Sequence, residues 1–303
     1  MDRFEAMQIF VKVVDANSFT KVSEMLDLSP AKVSRTVQLL EEHVGARLLN
    51  RSTRSVGVTE DGAVFYDRCV KILADVADAE SSLSTHKQKP SGTVRVDTSG
   101  TLARALLIPA LGSFYEQYPD IEVRLGLADR NIDLFQDGVD CVIRMGSIED
   151  SSLVARAMGR ARIVTCASPG YIERFGEPAT LEQLSEHTAV NYVSARTRKN
   201  FPFDYLVNGE LTRIEMKCAL AVNDGSTYIG AGCKGYGIIQ PSRYMVADHI
   251  ANGELKEILT NYQCPSTPVS IVLPHRRNLS PRVKAFIDWF TELARSNPDL
   301  QAS

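Results

Sequence analysis

Ser18-Phe-Thr-Lys-Val-Ser-Glu-Met-Leu-Asp-Leu-Ser-Pro-Ala-Lys-Val-Ser-Arg-Thr-Val37, followed by Arg47-Leu-Leu-Asn-Arg-Ser-Thr-Arg-Ser-Val-Gly-Val58, decides the reading of this chain. Ser18 is placed to cap one short helix, with Val22, Met25 and Leu26 facing inward. Asp27-Leu28 makes a turn. Ser29 then caps a second helix, with Pro30 at its first position, where a missing N–H costs nothing. On a helical wheel Val33, Val37, Leu40 and Val44 share one face, whereas Ala31, Arg35 and Gln38 lie opposite, flanked by Lys32 and Ser34. Upstream, Phe4, Met7, Phe10, Val11 and Val14 predict an amphipathic helix from Asp2 to Asp15.

That arrangement is a helix-turn-helix with a wing. Small residues at the start of the second helix permit close approach to a groove. Arg35 can fork onto a guanine edge or a phosphate, and Gln38 can pair with adenine. Arg47, Arg51 and Arg54 stand beside Ser52, Thr53 and Ser55, and Val56 and Val58 then alternate with small residues as an arm of a hairpin does. Three arginines in such a wing suit phosphate contact. The competing reading is a plain three-helix packing unit with a solvated polar face. The candidate DNA-contacting set is Ser29, Pro30, Ala31, Lys32, Ser34, Arg35, Gln38, Arg51, Thr53 and Arg54.

The chain resembles the LysR-type transcriptional regulators. The resemblance is carried by Phe10-Val-Lys-Val-Val-Asp-Ala-Asn-Ser-Phe-Thr20, Leu28-Ser-Pro-Ala-Lys-Val-Ser-Arg-Thr-Val37, Leu40-Glu-Glu-His-Val-Gly-Ala-Arg-Leu-Leu-Asn-Arg51 and Val58-Thr-Glu-Asp-Gly62. It extends more loosely through Leu107-Ile-Pro-Ala-Leu111, Phe114-Tyr-Glu-Gln-Tyr-Pro-Asp-Ile-Glu-Val123, Gly138-Val-Asp-Cys-Val-Ile-Arg144 and Gly235-Tyr-Gly-Ile-Ile239, so it covers nearly the whole chain. It is closest to the branch with an Asp-x-x-Ile-Arg-x-Gly strand, here Asp140 to Gly146. The resemblance implies an all-α winged helix-turn-helix, a linker helix and a two-lobed, periplasmic-binding-protein-like α/β effector domain. It also implies a small inducer bound between the lobes that changes how a homotetramer holds promoter DNA. Pro30, Ala31, Lys32, Ser34, Arg35, Arg51 and Arg54 take the family's DNA contacts. Lys32 departs from the small residue usual there, so the operator cannot be copied from relatives.

Three parts are therefore expected: a DNA-binding domain over 1–58, a dimerisation helix and hinge over 59–90, and an effector domain over 91–303. The effector domain divides into lobe I (91–162 and 266–303) and lobe II (163–265). Two or three domains suit 303 residues, and 44% hydrophobic with 23% charged residues is a globular balance. The net charge of −3 argues against non-specific coating of nucleic acid. Residues 1–58 hold eight Lys/Arg against seven Asp/Glu, so the DNA reading rests on placement rather than bulk charge. Asp2, Arg3 and Glu5 interrupt any apolar leader, and no run approaches the ~18 apolar residues of a membrane span. A cytoplasmic protein with no membrane partner is expected.

Thr59 caps the connector, whose first turn carries Glu60 and Asp61. Phe65, Cys69, Ile72, Val76, Ala79 and Leu83 then recur at heptad spacing. They form either a dimer seam or a stripe packed on the chain's own core. Charged flanks at Asp67, Arg68, Lys71, Asp75, Asp78 and Glu80 favour the seam, and a two-fold dimer would meet a pseudo-palindromic site. The polar stretch Ser84 to Gly92 reads as a hinge.

Beyond it, strands and helices alternate, which predicts α/β with a mostly parallel sheet. Strands are expected at Thr93–Asp97, Ile121–Leu127, Val139–Arg144, Arg162–Ala167, Thr188–Val193, Phe201–Val207, Tyr236–Gln240 and Val269–Leu273. Helices are expected from Leu102 to Gln117, after Asn223-Asp224, and from Ser280-Pro281, the last with Val283, Phe286, Ile287, Phe290 and Leu293 inward. Ligands of such folds bind at strand C-termini facing helix N-termini. The candidate effector-binding set is Thr98, Ser99, Thr101, Asp129, Arg130, Arg144, Ser194, Phe203, Asn223 and Asp224, and the effector expected there is anionic or aromatic. Each has a plainer alternative: Thr98 to Thr101 as a helix cap, Arg144 paired to an internal acid, Asp224 as an N-cap.

Gly230-Ala-Gly-Cys-Lys-Gly235 spells a dinucleotide motif, but it closes a helix rather than following a strand, so it reads as a C-cap and turn. The six cysteines include no Cys-x-x-Cys pair and are most simply buried small hydrophobes, with a redox-responsive regulator of the same fold as the alternative. Five scattered histidines give no metal-ligand spacing, and no cofactor is expected. A solute-binding protein would explain only the C-terminal half and would need a secretion signal. An enzyme would need a Gly-x-Ser-x-Gly, His-Glu-x-x-His or phosphate-loop set, none of which is spelled here. RNA polymerase is a further expected partner.

Overall fold

The computed structural model describes residues 2–51, 56–83, 89–127, 138–146, 154–194, 198–273 and 279–301. Thr53, Arg54, Asp129 and Arg130, much of the hinge, and the side chains of Arg51 and Leu83 lie outside the described residues. The chain forms two compact units, Met1–Gln88 and Lys89–Ser303.

The first unit opens with α1 (Arg3–Ala16), capped by Asp2, whose carboxylate accepts from the Phe4 N–H at 2.9 Å, and closed by left-handed Asn17. Helix α2 (Phe19–Met25) is capped by Ser18, and α3 (Pro30–Val44) by Ser29, whose hydroxyl accepts from the Lys32 N–H at 3.2 Å. Between them Asp27 takes φ 52°, a value Asp tolerates better than branched residues. The strands β1 (Leu49–Arg51) and β2 (Val56–Val58) pair antiparallel as the expected hairpin. Helix α4 (Glu60–Leu83) starts at Thr59, whose hydroxyl accepts from Gly62 N–H at 2.9 Å and donates to Arg47 C=O at 2.7 Å.

Ala6, Ile9, Phe10, Val13, Val22, Val33, Val37, Leu40, Leu48, Leu49 and Cys69 are buried together. Each large aliphatic or aromatic member contributes about 1.5–3 kcal/mol of burial. The inward face of α1 is thus rotated from the predicted one. Ala6, Ile9, Phe10 and Val13 form its centre, Met7, Val11 and Val14 flank it, and Phe4 stays outside the cluster. Met25 and Val44, predicted inward, are exposed because each ends its helix beyond the reach of a packing partner. The stripe on α4 also divides. Cys69 is fully buried and the Phe65 ring lies 5.7 Å from that of Phe10, so these two seal their own unit's core, contrary to a seam role. Ile72 is 44% exposed.

The second unit begins with β3 (Gly92–Thr98) and a continuous helical run: α5 (Gly100–Leu102), a π turn over Ala103–Leu107, and α6 (Ile108–Gln117). There follow β4 (Ile121–Leu127), β5 (Cys141–Met145), β6 (Val154–Ala161), β7 (Thr165–Ala167), α7 (Pro169–Phe175), β8 (Thr188–Tyr192), β9 (Phe203–Val207), β10 (Glu210–Ile214) and β11 (Lys217–Val222). The chain ends through α8 (Gly225–Cys233), α9 (Arg243–Ala251), β12 (Lys256–Ile258), β13 (Thr267–Leu273) and α10 (Pro281–Ser296).

The large sheet has the order β4-β3-β5-β13-β6. Strand β3 pairs parallel with β4 and β5, but β13 is antiparallel to both β5 and β6. The sheet is therefore mixed: β4, β3, β5 and β6 run the same way, as expected, and β13 alone, re-entering from the second lobe, runs opposite. A core containing Val94, Leu107, Phe114, Ile143, Phe286 and Phe290 covers this lobe. Residues between the two crossings build two further clusters, around Leu184 and Tyr205 and around Val190 and Ile239. The crossings run side by side, since Thr267 pairs with Ala161. The segment predicted as a strand from Tyr236 makes only single bridges, Ile238 to Ala189 and Ile239 to Cys166. There the backbone comes so close that a Cβ on Gly237 would lie 2.7 Å from Thr188 C=O.

Candidate functional site

The outward face of α3 carries exposed Ala31, Lys32, Arg35 and Gln38, with Ser34 half-buried. Its basic groups are loosely held: Lys32 Nζ lies 3.9 Å from Glu5, and Arg35 Nη1 lies 3.6 Å from Glu42. Such exposed pairs contribute little and give way readily to a phosphate. A tie unseen in the sequence fixes the wing to this helix. Glu41 Oε1, on α3, accepts from the backbone N–H of Leu48 and Leu49 at 2.8 and 3.0 Å.

The second unit holds a cavity of about 690 Å³ between its lobes. From the first lobe it is lined by Ser99, Thr101, Ile143, Arg144 and Met145, and from the second by Tyr192, Ser194, Phe201, Phe203, Tyr228 and Gln240. The rings of Tyr192 and Phe201 lie 6.1 Å apart, and those of Tyr192 and Tyr228 5.7 Å apart, edge to face. One wall is thus aromatic and the other hydroxylic. Ser99 caps the helical run after β3, accepting from Leu102 N–H at 3.2 Å, and its hydroxyl lies 3.3 Å from that of Thr101. Gln240 is held by its own backbone N–H to Tyr228 Oη at 2.7 Å and by two side-chain hydrogen bonds to the Asp204 backbone, at 3.0 and 3.2 Å. Burial pushes the Asp204 carboxyl up, partly offset by Arg213 at 3.5 Å.

Five of the predicted effector residues meet here: Ser99, Thr101, Arg144, Ser194 and Phe203. Three others that lie within the described residues do not. Thr98 is fully buried, and its hydroxyl has no hydrogen-bond partner among the described residues. Asp224 caps α8, accepting from Thr227 N–H at 2.7 Å and Thr227 Oγ1 at 2.6 Å, which holds its carboxyl below the usual range. Asn223 uses its carbonyl to accept from Tyr192 Oη at 3.2 Å. These two frame the cavity by setting α8, whose Gly225 touches Thr101 so closely that a Cβ would fall 2.6 Å from Thr101 Cγ2. Arg144 reaches the cavity while paired to Asp97. Sequence reasoning missed Tyr192, Phe201, Tyr228 and Gln240. Phe201-Pro202-Phe203 was the available signal, because a proline beside two aromatics seldom belongs inside a strand.

None of the six cysteines is disulfide-bonded. Burial pushes the thiols of Cys69 and Cys264 up to about 11 and that of Cys166 to about 12, so none of these three is a ready thiolate.

Residues 4–63 match the family model described as bacterial regulatory helix-turn-helix protein, lysR family, and residues 87–295 match that of the LysR substrate binding domain. The chain belongs to the LysR family of transcriptional regulators. It is similar to an HTH-type transcriptional repressor of Pseudomonas aeruginosa (strain UCBPP-PA14), 36% identical over 99% of this chain and 95% of that one. It is likewise similar to the HTH-type transcriptional activator AaeR of Escherichia coli (strain K12), 33% identical over 97% of this chain and 96% of the relative. The solved structure of CrgA from Neisseria meningitidis covers 95% of this chain with 97% of its own, at 30% identity and a TM-score of 0.61. This LysR-type protein is thus a DNA-binding transcriptional regulator with an effector-binding domain, not an enzyme. Members of the family bind promoter DNA and small effectors and form oligomers. Among the described residues, no helix is long and apolar enough to cross a membrane.

Proposed function

We propose that this regulator reads a promoter with Ser29, Pro30, Ala31, Lys32, Ser34, Arg35 and Gln38, supported by phosphate contacts from Arg51, Thr53 and Arg54. A flat aromatic effector carrying one anionic or hydrogen-bonding group fills the cavity between the lobes. The observation that carries the effector reading is the cavity's asymmetry: Tyr192, Phe201 and Tyr228 on one side, Ser99, Thr101 and Arg144 on the other. Rings bury against the aromatic wall, and the hydroxyls and Arg144 orient the polar end. Because Asp97 already compensates Arg144, the cavity does not demand a full negative charge.

Ile72, Val76 and Ala79 supply the dimer seam, with Leu83 extending it. Two recognition helices of a dimer then meet a pseudo-palindromic site, and two dimers make the working tetramer. The effector draws the lobes together, shifts the population of subunit arrangements, and so alters promoter bending and the approach of RNA polymerase. The protein acts in the cytoplasm.

The test is fluorescence anisotropy on DNA around the protein's own gene start, against scrambled DNA over a salt series. It is paired with calorimetry against aromatic acids, their amides and aliphatic acids. Sequence-selective, salt-steep binding that an aromatic compound modulates is the expected result. If aliphatic acids bind and aromatic compounds do not, the effector reading is wrong. Equal weak binding to both DNAs moves the target elsewhere in the genome.

A further inference from the structure

Cys233, His249 and Glu254 stand 16 and 5 residues apart, a spacing that spells no metal-binding motif. The fold gathers them: the Cys233 thiol, a ring nitrogen of His249 and a Glu254 carboxylate oxygen lie within 4.8 Å of one another. His249 Nδ1 is the shared vertex, 3.6 Å from Cys233 Sγ and 2.5 Å from Glu254 Oε2. The scatter of the histidines along the sequence does not reveal this grouping, which tertiary packing makes.

We propose that these three side chains bind a divalent transition ion of the zinc class. The separation of 3.6 Å between sulfur and nitrogen matches the roughly 3.5 Å that tetrahedral zinc imposes, given its bond lengths of about 2.3 Å to sulfur and about 2.0 Å to nitrogen. The carboxylate oxygen must withdraw from nitrogen by less than about 1 Å to take its place. Glu254 can do so, because it sits on an exposed turn beyond Gly253, at φ +71°. Sulfur, imidazole and one carboxylate form a ligand set for zinc rather than magnesium or calcium. Three protein ligands leave a fourth position for water or another donor.

A second observation points the same way. Cys233 is the last residue of α8, and His249 lies in the last turn of α9. Two helix C-termini therefore converge, and the negative ends of their dipoles favour a cation. Lys234, at the α8 cap, is a neighbouring cation that acts to lower the thiol's pKa. Burial, aided by Glu254, raises the Cys233 thiol, so without a metal it is a poor nucleophile, and a peroxide-sensing role does not suit it. Metal binding would displace its proton to solvent.

The site bears on the cavity. Helix α8 presents Gly225 and Tyr228 to the cavity near its start and Cys233 at its end. Helix α9 presents Met245 to the cavity and His249 one turn later. An ion at this vertex pins two helices that line the effector cavity. The metal proposal itself does not depend on what the cavity binds.

The test uses full-length protein stripped with chelator, then titrated with Zn²⁺ by calorimetry and with Co²⁺ by absorbance. One ion per chain is expected, with a thiolate-to-cobalt charge-transfer band. Cys233→Ser should abolish the band, and His249→Asn should weaken zinc by about a hundredfold or more, above the 10–100-fold seen for outer-shell changes. Cys218→Ser, which alters an exposed thiol outside the cluster, should leave both unchanged. If Cys233→Ser fails to fold, Glu254→Gln at its exposed position still tests the site, with weaker zinc binding expected. A band absent from the parent protein, or zinc binding unchanged in His249→Asn and Glu254→Gln, overturns the proposal.

Discussion

Arg144 Nη2 lies 3.1 Å from Asp97 Oδ1, joining the neighbouring parallel strands β5 and β3 beneath the cavity floor. Asp97 is the deeper partner, its side chain 5% exposed against 23% for Arg144. The sheet makes room for it: a Cβ on Gly126 of β4 would lie 2.6 Å from Asp97 Oδ2. Arg144 is therefore a structural counter-ion that also lines the cavity.

Arg144→Ala should destabilise the effector unit by up to about 3 kcal/mol, since it removes the guanidinium paired to a buried carboxylate. Trp289, the single tryptophan and a member of that lobe's core, reports the unfolding by fluorescence in urea. Asp97→Asn combined with Arg144→Met should recover most of the loss. A double variant as unstable as the single one would refute the pair as the cause.

Arg35→Ala should weaken binding to the selected promoter by about 1–3 kcal/mol, roughly five- to 150-fold, and relax base preference at one position. The side chain is 59% exposed, so the melting temperature should not move. Anisotropy on a panel of single-base operator variants separates this from a uniform loss.

Glu41→Ala removes the acceptor shared by Leu48 and Leu49 and should loosen the wing from α3. Hydrogen bonds to charged groups contribute about 1.5–3 kcal/mol. Promoter affinity should fall about tenfold or more even though Glu41 is not among the residues proposed to touch DNA. Glu41→Gln, which keeps an acceptor oxygen, should retain most of the affinity.

Phe201→Ala should cut effector affinity at least tenfold at little cost in stability, because the ring lines the cavity and is 55% exposed. Phe203→Ala would be a poor substitute, since Phe203 also belongs to the second lobe's core. Calorimetry together with melting curves distinguishes the two.

His187 is buried with Nδ1 3.1 Å from Tyr171 Oη, and burial lowers its pKa, opposed by Glu186. The folded state therefore resists protonation that the unfolded chain accepts near pH 6.5. Stability should be complete above that pH and fall as pH drops below it. In His187→Gln the urea midpoint should lose part of this dependence between about pH 5 and 7. An unchanged pH profile would sink the assignment.

The recognition helix was legible because local and global signals agree: Ser29 caps it, Pro30 starts it, and Val33, Val37 and Leu40 are fully buried. Strand β6 was not, because Arg156, Gly159 and Arg160 dilute its pattern and its partner β13 arrives more than a hundred residues later. The faces of α1 and α4 were misjudged for another reason. A stripe states only that something covers it, and Cys69 turned out to be covered by its own unit. The cavity was half legible. Strand-to-helix chemistry found Ser99 and Thr101, but Tyr228 and Gln240 come from separate elements that only tertiary packing brings together. Asp224 followed its plainer alternative, an N-cap.

The two crossings between lobes lie against one another, joined where Thr267 pairs with Ala161. They act as two pins of one door. Lengthening a single crossing would skew the second lobe and shear the cavity walls past each other, whereas equal lengthening of both would only move the door outward. Changes in chain length at these two places, a hundred residues apart in sequence, are thereby obliged to travel together.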